Sequence, residues 1–213
     1  MKTDELIDLL ALGEGPVDTQ AMARRLAIAL IGGLLGAVML MLALFDVRPD
    51  IREAVSTPMF WAKVAFPGVL ALGALWLSSR LTRPGVKGGV AWVLLALPTL
   101  LVGSGVLVTL LDAPAAGRLG LVLGRTWKTC PFNIALLSVP AFVANFWALR
   151  DMAPTRPRLA GLAGGLLAGA TATLAYCLHC PEMEVPFWGV WYLIGMLLPA
   201  WAGTVLGPRL LRW

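Results

Sequence analysis

Two cysteines stand at C-x-x-C spacing in the stretch YCLHCPEMEVP, residues 176–186, with the single histidine of the chain, His179, between them. A third, Cys130, lies in WKTCPFN, residues 127–133. Residues of these types support three kinds of chemistry. Cys130 and Cys180 can form a switchable dithiol. Thiolates can hold a soft metal ion, with His179 or Glu182 as accessory ligands. Cys177 and Cys180 can serve as a catalytic pair. A fourth possibility is that all three cysteines only pack at helix ends. The choice depends on the elements that position them, and on which side of a membrane they face.

Those elements are membrane helices. Of the 213 residues, 59% are hydrophobic and 14% charged, with a mean hydropathy of +0.81. A soluble domain carries about 25% charged residues, so the bilayer is the expected solvent. Six apolar runs reach the roughly 20 residues that a crossing needs: residues 26–45, 59–77, 89–111, 131–149, 159–178 and 187–206. The expected fold is all-α, a bundle of six transmembrane helices. It divides into a cytoplasmic tail over 1–25, a membrane domain over 26–206 and a short basic end over 207–213. No cleavable signal peptide is evident.

The pI near 9.6 does not imply direct nucleic-acid binding, because the positive charges lie between apolar runs and form no basic block. Lys and Arg number eleven in the tail, the even loops and the C-terminal end, against five in the odd loops. The excess puts both termini in the cytoplasm, and the stretch at 176–186 on the outer, periplasmic face, where disulfides persist. The third loop, with Arg118, Arg125 and Lys128, is the weak point of that orientation. Lys63 is the one cation within a span, near enough to the edge to snorkel. So few intramembrane charges argue against a transporter.

Gly161, Gly165 and Gly169 form a small-residue face for helix packing on the fifth run, and Gly32 and Gly36 repeat the spacing on the first. Pro67, Pro98, Pro140 and Pro199 are expected to kink their helices.

The tail opens MKTDELIDLLALGEG, and its first 18 residues carry a side-chain charge of −4. Asp4 and Glu5 fall in the first turn of a helix, where the dipole favours acids. Leu6, Leu9 and Leu10 form an apolar face, with Asp8 between them. Anionic lipid repels such a helix. It suits docking on a basic soluble partner, or it is simply a solvated tail.

The short RDMAPTRPR loop at 150–158 joins the fourth and fifth runs into a hairpin. Cys130 and Cys180 are nearly equidistant from its centre, so they stand at one height on the outer rim. Pro131 suits the first turn of a helix that begins at Cys130, where the dipole makes a thiol more reactive. Cys177 lies a turn deeper, in or near lipid, as a small packing residue. If Cys130 and Cys180 were joined, the two helices would be drawn together. The small-residue seam would allow this, and a rigid helix would carry the tilt to the cytoplasmic loop. Three cysteines are too few for the two pairs that a quinone-coupled thiol oxidoreductase uses. That enzyme and a small transporter are the alternative readings.

The acidic MKTDELIDLLA tail, the six runs, and WKTCPFN with CLHCPE on the outer face resemble the NrsF-type bacterial anti-sigma factors over nearly the whole chain. The resemblance implies a non-enzymatic inner-membrane regulator of transcription that sequesters a cytoplasmic extracytoplasmic-function sigma factor. It also implies release under periplasmic stress from heavy metal or oxidant, with Cys130 and Cys180 as the sensor pair. No resident cofactor is implied, only a transient soft metal ion as signal. On this reading the C-x-x-C spacing is incidental, since a disulfide is hard to close across one intact helical turn.

Overall fold

The computed structural model describes residues 3, 5, 20–81, 89–152 and 154–212. All regular structure among them is helical. The elements are α1 (Ala21–Leu44), α2 (Ile51–Val55), α3 (Pro58–Leu81), α4 (Val90–Asp112), α5 (Ala115–Leu123), α6 (Cys130–Leu137), α7 (Val139–Arg150), α8 (Pro157–Tyr176) and α9 (Val185–Leu210). Five are long and apolar enough to cross a membrane, and the broken pair α6–α7 makes six. The expected runs therefore stand, each within a few residues. The helices at α2 and α5 were not foreseen. Of the tail residues singled out, Asp4, Leu6, Asp8, Leu9 and Leu10 lie outside the described residues, while Glu5 is helical and exposed.

Proline sets several boundaries. It occupies the first turn of α6, α7, α8 and α9, where its missing N–H costs nothing. Pro140 cannot donate back to the preceding turn, and the fourth span bends by 43° between α6 and α7. It is thus no rigid lever from rim to rim. Pro67, Pro98 and Pro199 sit within uninterrupted helices.

Helix α8 is the axis of the bundle, and most of its residues are buried. Its glycine face meets α9. A Cβ at Gly161 would overlap the Gly203 carbonyl, one at Gly165 the Pro199 carbonyl, and one at Gly169 would lie 2.9 Å from Met196 Cα. The seam is therefore filled by the sixth span and is not free to admit the fourth. On α1, Gly36 meets Pro140 and Gly33 meets Ala141, whereas Gly32 faces open space. Helix α4 lies at the edge with only Ala91 buried. Arg118 donates to the Ala113 and Leu111 carbonyls at 3.0 and 3.3 Å, closing the end of α4. A cation at a helix C-terminus is favourable, which accounts for one of the third loop's three charges.

Candidate functional site

The three cysteines gather at the rim where α6 begins and α8 ends. Cys130 is the first residue of α6, and its N–H donates to the Thr126 carbonyl at 2.9 Å. Cys177 follows the last residue of α8. Past it the chain makes one more turn, with the His179 and Cys180 N–H groups on the Tyr176 carbonyl at 3.0 Å each. It then runs without regular structure through residues 181–184 as a strap leading to α9.

All three thiols are free and none is exposed. They share one apolar cluster with Tyr176, Phe187, Trp188 and Tyr192. Cys180 neighbours both Cys130 and Cys177. Cys177 thus points into the cluster rather than toward lipid, its Sγ 3.9 Å from the Lys63 carbonyl. The Tyr176 hydroxyl lies beside Cys130 and Asn133. The Tyr192 hydroxyl lies beside Cys177 and Cys180, at a geometry that completes a hydrogen bond to neither.

Lys63 does not snorkel. It is fully buried, and its Nζ donates to the Cys180 and Glu182 carbonyls at 2.7 Å each. The ammonium also lies 5.5 Å from the centre of the Tyr192 ring, a cation–π distance. A buried cation with no carboxylate among these contacts relies on such dipoles. Arg48, also buried, adds a second cation from the loop after α1. Its Nη1 donates to the Cys180 carbonyl at 3.2 Å, and Nε and Nη2 grip Asp50 at 2.7 and 2.6 Å. That hydrogen-bonded pairing holds the Asp50 carboxyl below its ordinary value and raises the Arg48 guanidinium.

The strap is fastened from two further sides. The Leu178 carbonyl accepts from the Arg48 N–H at 3.0 Å. His179 Nδ1 lies 2.9 Å from the Asp46 carbonyl, and its ring packs on Phe45 and Tyr176. Glu182 Oε1 accepts from the Arg125 N–H at 2.7 Å. Gly124 makes that approach possible. Its φ is +52°, and a Cβ there would collide with Phe187 and press on Glu182, so only glycine fits. His179 and Glu182 thus hold loops together. Among the described residues no three His, Cys, Asp or Glu side chains are grouped to hold a metal ion.

Sequence reasoning missed Lys63 and Arg48. The signal was present for Lys63, the sole charged residue within the expected spans, since such a residue is a functional candidate by default. Arg48 gave no signal, because a loop arginine is ordinarily solvated.

Fold and site define a polytopic helical membrane protein with a closed thiol cluster at one rim. A family profile described as "Negative regulator of sigma F" (NrsF) matches residues 10–213, and the chain belongs to that family. It is 51% identical to "Probable anti-sigma-F factor NrsF" of Azospira oryzae, and 39% identical to "Anti-sigma-F factor NrsF" of Caulobacter vibrioides. Both alignments cover 100% of each chain. No solved structure matches the chain significantly.

Proposed function

We propose that the protein is an inner-membrane anti-sigma factor with both termini in the cytoplasm. It holds an extracytoplasmic-function sigma factor there and releases it when a periplasmic oxidant or soft heavy metal reaches Cys130 and Cys180. Family membership and the names of the two full-length relatives support the regulatory class. The sensing role rests on one observation. The strap that follows Cys180 is held by two buried cations, Lys63 from α3 and Arg48 from the loop after α1.

In the resting state the thiols are reduced and the strap is closed. An oxidant that joins Cys130 and Cys180 takes two electrons, and the thiols lose two protons. A soft metal held by both thiolates likewise displaces two protons. Either event moves Cys180, whose carbonyl is the shared acceptor of Lys63 and Arg48. The outer end of α1 is tied to the same turn through Arg48 and Asp46. Helix α1 runs without a break for 24 residues, about 36 Å at 1.5 Å per residue, and leads back to the acidic tail. Within the hairpin of the fourth and fifth spans, the fourth is broken at Ser138 and cannot act as the rigid helix.

In this account the tail supplies the docking surface for the sigma factor, through Asp4, Glu5 and Asp8 for steering and Leu6, Leu9 and Leu10 for contact. A differential of about 1.4 kcal/mol between the closed and modified states changes partner affinity tenfold. The testing experiment is affinity capture of the tagged full-length protein in mild detergent, before and after a thiol oxidant, with the bound soluble protein identified. Quinone-dependent oxidation of a thiol substrate would favour the oxidoreductase instead.

A further inference from the structure

At the rim opposite the cysteines, four arginines converge where α8 begins and α9 ends. Two adjoining grooves of about 400 Å³ each share Arg158 and Pro208. Arg209 and Arg212 line the first, over Thr204 and Val205, and Arg156 lines the second, beside Leu159. The packing fixes this convergence. A Cβ at Gly207 would overlap the Pro157 carbonyl, and Gly161 and Gly203 meet backbone to backbone a turn further in. This backbone contact brings the two helix ends, and their charges, together.

The four side chains belong to exposed residues, and among the described residues none has a carboxylate partner. Asp151, an acid of the same rim, is taken by Arg25. Like charges held together favour an anion. Guanidinium groups bind phosphate through paired N–H donors.

The face of α9 below the grooves shows which anion fits. Ile194, Leu197, Trp201 and Val205 are exposed apolar residues. They share one stripe with Arg209 at helical spacing, and Arg212 follows just past the helix end. A soluble anion would use the arginines alone. A glycerophospholipid uses both parts, with its phosphodiester on the arginines and its acyl chains along the stripe. Basic pockets at the ends of membrane helices recognise anionic headgroups in this way.

We propose that the paired groove is a binding site for an anionic phospholipid, held by Arg158, Arg209 and Arg212. This reading is independent of the cysteine sensor. The acidic N-terminal segment is the rival occupant, and the apolar stripe favours lipid over it.

The test uses the delipidated full-length protein in mild detergent. Native mass spectrometry counts bound phosphatidylglycerol and phosphatidylcholine, and inorganic phosphate serves as competitor. The expected result is a phosphatidylglycerol preference that excess phosphate does not abolish. In an Arg158→Gln/Arg209→Gln variant that preference falls by at least about tenfold, since two charge-assisted contacts are removed and either one alone accounts for a change of about that size. Arg80→Gln, which removes a cation of the same rim, leaves it unchanged. An unchanged unfolding midpoint of the double variant without lipid separates lost binding from lost folding. If that midpoint falls, Arg158→Lys/Arg209→Lys keeps the charge and must still lose preference. Equal retention of the two lipids, full competition by phosphate, an Arg80→Gln effect as large as the double variant's, or binding that appears only after deletion of residues 2–12 would each overturn the proposal.

Discussion

Lys63 and Cys180 are joined by a hydrogen bond of 2.7 Å from a buried ammonium to a backbone carbonyl, with no water-exposed atom in the lysine to share the charge. The same ammonium holds the Glu182 carbonyl. Lys63 is therefore the fastener between α3 and the strap that follows the cysteine. Lys63→Met keeps most of the stem and deletes the donor, so the Glu182 carbonyl loses its partner, at about 1–3 kcal/mol, while the Cys180 carbonyl is left to Arg48 alone. The expected outcome is a folded protein with a loosened rim, in which membrane-permeant maleimide labels the three thiols faster. An unchanged labelling rate would mean that the strap is held by other contacts.

Arg48 grips the same carbonyl from the other side, and its charge is partly met by exposed Asp50. Arg48→Ala is expected to speed labelling as well, by less than Lys63→Met, because Lys63 still holds Cys180. Labelling faster in Arg48→Ala than in Lys63→Met would reverse the ranking of the two cations. The Arg48–Asp50 contribution has a defined pH range. The Asp50 carboxyl is lowered in the fold, so its contribution is full above the unfolded carboxylate value of about 3.9. It is lost only as pH falls through the folded value.

The glycine seam predicts a contrast between two helices. Gly165→Ala forces a methyl onto the Pro199 carbonyl and is expected to destabilise by about 1–3 kcal/mol. Gly32→Ala faces open space and is expected to stabilise by about 0.5–1 kcal/mol. Thermal unfolding in detergent checks both. Equal midpoints for the two variants would remove the seam from the account.

The tail predicts a separation of affinity from rate. Deleting residues 2–12 is expected to leave the protein inserted and unable to retain the sigma factor. Neutralising Asp4, Glu5 and Asp8 slows association and weakens its salt dependence, while Leu6, Leu9 and Leu10 to Ala speeds dissociation. Full retention after the deletion would move the interface to the loops of the rim opposite the cysteines.

Much of the architecture is legible in the sequence, because 20-residue apolar runs have few other uses. The thiols' common rim is legible too, since a short loop fixes the register of Cys130 and Cys180. Three things were not. The partner of the Gly161–Gly169 face could not be named, because small residues mark a close approach without naming the approaching helix. Cys177 packs as its small apolar character suggested, but its place beside Cys180 was not legible because position along a helix does not give its facing. Lys63 looked like a snorkelling side chain because its carbonyl partners come from residues 180 and 182, over a hundred positions away. Backbone acceptors leave no trace in side-chain patterns.

Which thiols carry the signal is the central claim, and one measurement addresses it directly. The full-length protein and its cysteine variants are captured with the sigma factor bound, and the fraction retained is measured before and after oxidant. Cys130→Ser and Cys180→Ser should each hold the bound fraction constant through the treatment, and the double variant should match either single one. Cys177→Ser should release the partner almost as the unaltered protein does. Loss of the response in Cys177→Ser, with the response kept in Cys130→Ser, would contradict the account and make Cys177 and Cys180 the sensing pair.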